Sequence, residues 1–122
     1  MNLTGGVYYA FNSSLDIAIV IDGTLSSEWS TIRRFLTTFG DRFYVGPTLT
    51  RFAVVQFTQR PTTTFGFTRY STNAQLRNGF SNLQQTATGN VRNLAEALNY
   101  THSNVFSQSR NYAAQVYSFY NT

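Results

Sequence analysis

The stretch Leu15–Ser27, which reads L-D-I-A-I-V-I-D-G-T-L-S-S, decides the fold of this chain. Its central run, Ile17–Ile21, is apolar at every position, without the alternation of a strand that faces water on one side. Such a run is typical of a strand buried on both faces, as in the middle of a parallel sheet. We therefore predict a first strand over about Asp16–Asp22, at the centre of an α/β fold.

The first strand ends on a carboxylate, Asp22, and two hydroxyls follow it at Thr24 and Ser26. A helix is predicted directly afterwards, so these side chains lie where a strand gives way to a loop. Open α/β sheets bind ligands at the carboxyl ends of their strands. The three side chains offer the hard oxygen atoms that suit Mg²⁺ or Mn²⁺, and we treat them as a candidate metal site.

Helices and strands alternate along the rest of the chain. Pro61 is expected to end the second strand, and the short connection after it makes the second and third strands antiparallel neighbours. This order predicts an α/β layer fold with a mostly parallel sheet, over residues 15–122, after a polar and aromatic lead-in at 1–14. The predicted elements are a helix over Ser27–Phe39, strands over Arg51–Thr58 and Thr63–Thr68, helices over Thr72–Leu83 and Asn93–Phe106, and a last strand over Ala113–Tyr120.

Composition limits the function classes. The 122 residues suffice for one small domain, and the absence of cysteine excludes disulfides, zinc–thiolate sites and a cysteine nucleophile. The net charge of +4 is carried by nine scattered arginines, without the basic stripe or motif of a nucleic-acid binder. We therefore predict no specific nucleic-acid binding and keep weak polyanion binding as an alternative. No apolar run approaches the ~20 residues of a membrane span.

Nothing in the sequence indicates an enzyme. The sole histidine, His102, falls in the middle of a predicted helix, far along the chain from Asp22. No nucleophile elbow, P-loop or G-x-G-x-x-G motif is present. We therefore predict a protein without catalytic residues.

Three N-glycosylation sequons bear on whether the protein is secreted. Asn2 (N-L-T), Asn12 (N-S-S) and Asn99 (N-Y-T) each begin an N-glycosylation triplet. The amino terminus of this chain lacks the basic region and long apolar stretch of a signal peptide. The sequons favour secretion slightly, with Asn12 the better acceptor because Asn99 lies inside a predicted helix.

Four pieces of the sequence, in order, resemble a von Willebrand factor A (VWA) domain. They read L-D-I-A-I-V-I-D-G-T-L-S, R-F-A-V-V-Q-F, F-T-R-Y-S-T-N-A-Q-L-R-N-G-F-S-N-L and G-N-V-R-N-L-A-E-A-L. The resemblance implies a Rossmann-like, mostly parallel sheet with one antiparallel edge strand, flanked by helices. It also implies a metal-ion-dependent adhesion site. In the family, this site is built from a D-x-S-x-S motif, a loop threonine and a later Asp, and Asp22, Thr24 and Ser26 match the first motif.

Two departures make this adhesion site degenerate. Arg92 stands at the position of the loop threonine, and arginine is always charged and cannot ligate a metal. The sequence also ends at Thr122, near the residue that precedes the later Asp, which indicates a truncated product, a splice form or a fragment. The alternative to a metal site is a charge-assisted pair between Asp22 and Arg92.

The resemblance implies a non-enzymatic protein–protein interaction or adhesion module that acts outside the cell on an extracellular or matrix partner. We call the surface around Asp22, Thr24, Ser26 and Arg92 the top face, and expect it to contact a protein partner that presents an acidic group. We expect the top face to act either without a cofactor or with a bound Mg²⁺ or Mn²⁺. The alternative is an intracellular or incomplete scaffold without a ligand at the top face.

Overall fold

The computed structural model describes residues 14–24, 29–86, 89–111 and 113–120, and for residues 117–120 it describes the backbone only. Residues 1–13 of the predicted lead-in lie outside this range. The elements are β1 (Leu15–Asp22), α1 (Trp29–Gly40), β2 (Arg51–Phe57), β3 (Pro61–Phe65), α2 (Asn73–Ser81), α3 (Leu94–Tyr100) and β4 (Ala114–Tyr120).

The strands form one sheet in the order β3-β2-β1-β4. β1 pairs in parallel with β2 on one side and with β4 on the other, and β3 pairs with β2 in the antiparallel direction. The predicted α/β class, the mostly parallel sheet and the antiparallel edge strand are therefore confirmed. Because β1, β2 and β4 run in the same direction, their carboxyl ends meet at one edge of the sheet.

β1 is buried on both faces, as its unbroken apolar run predicts. Ile17, Ile19 and Ile21 lie in the hydrophobic cluster on one face of the sheet, and Ala18 and Val20 lie in the cluster on the other. This division follows from the two-residue period of a strand. Both faces need a covering layer, so helices pack on each.

The first face is covered by α1 and α2. The helical spacing of Trp29, Ile32 and Leu36 buries all three against the isoleucines of β1. Phe80 of α2 meets Phe52 of β2 edge-to-face, with ring centroids 5.9 Å apart. Aromatic pairs of this geometry add to the stabilisation that burial provides.

The second face is covered by α3 and the turns that follow it. The sequence predicts one helix over Asn93–Phe106, but the α-helix ends at Tyr100 and continues as a π-helical turn, Thr101–Val105, and a 3-10 turn, Phe106–Gln108. The wider turn brings both Val105 and Phe106 into the second cluster, and this packing offsets the poorer backbone geometry.

The prediction for β3 is wrong in its boundaries. The strand runs over Pro61–Phe65 rather than Thr63–Thr68, so Pro61 begins it instead of interrupting the sheet. A proline is tolerated here because it is the first residue of an edge strand, where a ladder N–H is dispensable. Gly66, which we expected inside the strand, lies just beyond its end.

A buried ion cluster, which the sequence analysis missed, secures the amino ends of β1 and β2. Asp16 is fully buried and accepts hydrogen bonds from Nε and Nη2 of Arg51, from Nη2 and the backbone N–H of Arg110, and from the Ser109 hydroxyl. Burial alone raises the pKa of Asp16, but the hydrogen bonds from Arg51, Arg110 and Ser109 outweigh it. Together they hold that pKa well below its usual range.

No helix within the described residues is both long enough and apolar enough to cross a membrane.

Candidate partner-binding site at the carboxyl end of the sheet

Asp22 closes β1 and begins the site. Its side chain is fully buried, and its Oδ1 accepts hydrogen bonds from the backbone N–H of Thr24, at 2.9 Å, and from the Thr24 hydroxyl, at 2.7 Å. Asp and Thr commonly organise a turn in this way, with a side chain bonding the backbone two residues on. The first two residues of the predicted site are thus brought together by local turn chemistry.

Arg92 reaches the same point from the loop that precedes α3. Its Nε lies 2.6 Å from Oδ2 of Asp22, and its Nη2 donates to the hydroxyl of Thr24 at 3.3 Å. The contact with Oδ2 is an ion pair by distance but lacks the alignment of a hydrogen bond, so Oδ2 accepts none from the described residues. Charge attraction rather than a directed hydrogen bond therefore holds this pair.

Asn93 anchors the loop that carries Arg92. The N–H of Asn93 donates to the carbonyl of Thr58, just after β2, at 2.8 Å. The side chain of Asn93 then caps α3 by accepting from the N–H of Glu96. Gly89, whose φ of 140° favours glycine, lies beside the side chain of Thr58. Arg92 therefore projects from a segment that is anchored by the residue following it.

A buried glutamine, which the sequence analysis did not single out, anchors the start of the same loop. Gln56 is fully buried, and its Nε2 donates to the carbonyl of Gln84 while its Oε1 accepts from the N–H of Thr86, at 2.9 and 2.8 Å. Gln85 donates to the carbonyl of Gly23, beside Asp22, at 2.7 Å. The available signal was the single amide side chain in the run R-F-A-V-V-Q-F.

The outer surface of the site combines the Arg92 cation with apolar neighbours. The Arg92 side chain is 54% exposed, whereas that of its partner Asp22 is fully buried. Val91 and Leu94, on either side of Arg92 in the chain, are exposed large apolar residues. A shallow cleft of about 300 Å³, lined by Thr58–Arg60 and 89–91, adjoins them. Exposed apolar residues beside a charge are common features of interaction surfaces.

The described residues do not fit a divalent cation. The guanidinium of Arg92 contacts both candidate ligand groups, Asp22 Oδ2 and Thr24 Oγ1, and it is permanently charged. The hydroxyl of Thr24 already donates to Asp22. Across the part of the chain that the structure describes, no three His, Cys, Asp or Glu side chains cluster as metal ligands would.

The other predicted site residues are only partly described. Ser26, Asn2 and Asn12 lie outside the described residues, so their roles stay predictions. Asn99 is exposed on α3, although Thr101 of its sequon is buried and its hydroxyl donates to the carbonyl of Ala97 at 2.7 Å. His102 is exposed in the π-helical turn.

Comparison with known proteins identifies the family of the fold. The model of the von Willebrand factor type A domain matches residues 16–119, which is most of the chain. This chain belongs to the VWA family. Among curated proteins, human vitrin is similar, with 29% identity over 101 residues. That stretch covers 80% of this chain but only 15% of vitrin.

Solved structures of VWA type share the fold. One match is a structure of proximal thread matrix protein 1 (PTMP1) from the mussel byssus, with a TM-score of 0.78 and 27% identity. That structure has zinc in its metal-ion-dependent adhesion site (MIDAS) motif. The match covers 93% of this chain and 29% of that one. A second crystal form of PTMP1 matches with a TM-score of 0.70 and 28% identity, over 84% of this chain and 28% of the other.

Proposed function

We propose that this VWA domain is a non-enzymatic interaction module that binds an extracellular or matrix protein through its top face. The observation that carries the proposal is the position of Arg92, a half-exposed cation held at the carboxyl end of the sheet by a buried carboxylate. Similarity to PTMP1, a matrix protein of the mussel byssus, supports a matrix partner. A partner whose acidic group meets the exposed part of Arg92 would complement this surface.

The rest of the top face supports protein recognition rather than binding of a small ion. Val91 and Leu94 can bury apolar surface on the partner around the charged contact, because both are exposed beside Arg92. A buried charge-assisted hydrogen bond stabilises a complex by about 1.5–3 kcal/mol. The partner we propose therefore presents a carboxylate flanked by apolar side chains.

Scattered arginine charge gives less support to polyanion binding. Within the described residues, Arg51 and Arg110 pair with Asp16, and Arg77 pairs with Asp41. Each of these pairs lowers the positive charge that a polyanion would meet. The top-face proposal therefore rests on one positioned cation and not on the net charge.

The test measures binding of the VWA domain to a cell-free extracellular matrix that is immobilised on a sensor surface. A chelator in the buffer removes divalent cations. Arg92→Ala should weaken binding by roughly tenfold to a hundredfold, as expected for one charge-assisted contact. Arg77→Ala is the matched control, because Arg77 is 57% exposed and also pairs with an aspartate. Amidation of the matrix carboxylates should lower binding of the unmodified protein as well. Equal binding by wild type and Arg92→Ala would refute the proposal.

The extracellular location is proposed on the sequons and on the similarity to PTMP1. Mass spectrometry of protein from its native source should find a glycan at Asn12, and the exposed Asn99 leaves room for a second. Unmodified asparagines at all three sequons would favour the alternative, an intracellular scaffold.

A further inference from the structure

The contact between Arg92 and Asp22 indicates how this site manages without a metal. We propose that the guanidinium of Arg92 takes the place of the divalent cation and keeps such cations out of the site. The inference goes beyond the proposed function because it concerns the counter-charge of Asp22 and involves no partner. It can therefore fail while partner binding stands.

The carboxylate of Asp22 needs a counter-charge. Asp22 is fully buried, and a buried carboxylate requires a counter-charge or several hydrogen bonds. Thr24 satisfies Oδ1, but Oδ2 accepts no hydrogen bond from the described residues. Its close contact is Nε of Arg92, at 2.6 Å. Arg92 thus supplies the positive charge that the buried end of β1 needs.

Arg92 also occupies the space around these oxygens. Hard divalent cations bind oxygen at about 2.0–2.6 Å. The guanidinium already lies at 2.6 Å from Oδ2 and at 3.3 Å from the hydroxyl of Thr24, so it contacts both of the candidate ligands that the structure describes. A metal could bind these two oxygens only if Arg92 moved away, because the two positive charges would repel each other.

Removal of Arg92 would open the site to a cation. A threonine at this position leaves the carboxylate of Asp22 without its cation and restores the hydroxyl that the VWA pattern has in this loop. Both changes favour a divalent cation, since the buried charge then needs a replacement. Arg92→Thr should therefore create metal binding, whereas Arg92→Lys, which retains the charge, should not.

The experiment follows thermal unfolding by the fluorescence of the single tryptophan, Trp29, in millimolar Mg²⁺, Mn²⁺ or Zn²⁺ and in chelator. We expect no shift for the wild type or for Arg92→Lys. For Arg92→Thr we expect Mn²⁺ to raise the midpoint by several degrees, since a ligand that binds only the native state stabilises it. The double variant Asp22→Asn/Arg92→Thr should lose this response.

Two results would overturn the inference. The first is stoichiometric Mn²⁺ binding by the wild type in a calorimetric titration, abolished in Asp22→Asn, which would show that Arg92 does not exclude the cation. The second is a lack of any metal response in Arg92→Thr. If Arg92→Thr is unfolded in chelator, refolding on addition of Mn²⁺ supports the inference, and failure to refold with any of the three ions contradicts it.

Discussion

Arg110 donates two hydrogen bonds to Asp16, although 94 residues separate them: its Nη2 reaches Oδ1 at 2.7 Å and its backbone N–H reaches Oδ2 at 2.9 Å. The same Nη2 also donates to the carbonyl of Leu49, just before β2, at 2.6 Å. The start of β4 is thereby tied to β1 and β2 at the edge of the sheet opposite the top face.

Asp16→Asn should be strongly destabilising. It leaves two buried arginines without their carboxylate, and breaking a buried ion pair in this way costs about 3–5 kcal/mol. Urea titration should show the loss in the free energy of unfolding. Asp41→Asn is the control, since the Asp41–Arg77 pair is exposed and should contribute less than about 1 kcal/mol. Equal effects of the two substitutions would contradict the role of the buried cluster.

Asp16 also predicts the response to acid. Its pKa in the folded protein lies below its ordinary value of 3.8, so the unfolded chain binds the proton more readily. The stability from Asp16 is therefore complete well above the ordinary pKa, falls progressively as the pH drops below about 5, and is lost as the pH passes through the folded pKa. Chemical unfolding between about pH 5 and pH 2 should show that the free energy of unfolding falls more steeply for wild type than for Asp16→Asn. Parallel curves would contradict the assignment.

Gly79→Ala should destabilise the packing of α2. A Cβ at this position would lie 2.5 Å from Cε2 of Tyr70, whose ring packs edge-to-face against Phe65. The ring must shift, and overpacking of this kind costs about 1–3 kcal/mol, which outweighs the ~0.5–1 kcal/mol by which alanine is favoured over glycine inside a helix. Gly66→Ala is the control, because nothing lies within 4 Å of its added Cβ. Thermal unfolding should separate the two, and similar midpoints would show that Tyr70 moves freely.

Gln56→Leu should loosen the loop that leads to Arg92. The substitution removes the donor to the carbonyl of Gln84 and the acceptor for the N–H of Thr86, two part-buried hydrogen bonds worth about 0.5–1.5 kcal/mol each. Hydrogen exchange should therefore become faster at the amide of Thr86. Gln75→Leu, at an exposed position of α2, should leave that amide protected. Unchanged exchange in Gln56→Leu would mean that other contacts hold the loop.

The sequence predicts the sheet better than it predicts the third helix. Ile17–Ile21 is apolar throughout, so burial on both faces follows from composition alone. The π-helical turn at Thr101–Val105 depends on packing of Val105 and Phe106 against the sheet, and no local pattern encodes that distant contact. The predicted bounds of β3 were wrong for a similar reason. A proline can begin this strand only because the strand lies at the edge of the sheet.

The two charged sites, at Asp22 and at Asp16, also differ in how far the sequence predicts them. Arg92 could be placed beside Asp22 from the register of N-L-A-E-A-L in the VWA pattern. Asp16, Arg51 and Arg110 belong to no motif, and their side chains meet only because three strand ends converge. Tertiary contacts between residues distant in sequence are what a single sequence leaves undetermined.

The most direct test of the central claim, that Arg92 is the counter-charge of Asp22 at the top face, is a double-mutant cycle. The free energy of unfolding would be measured in urea for wild type, Asp22→Asn, Arg92→Met and the double variant. We predict a coupling energy of about 1–2 kcal/mol, below that of a fully buried pair because Arg92 is half exposed. Effects that add within about 0.3 kcal/mol would mean that the two side chains do not interact, and would contradict the account.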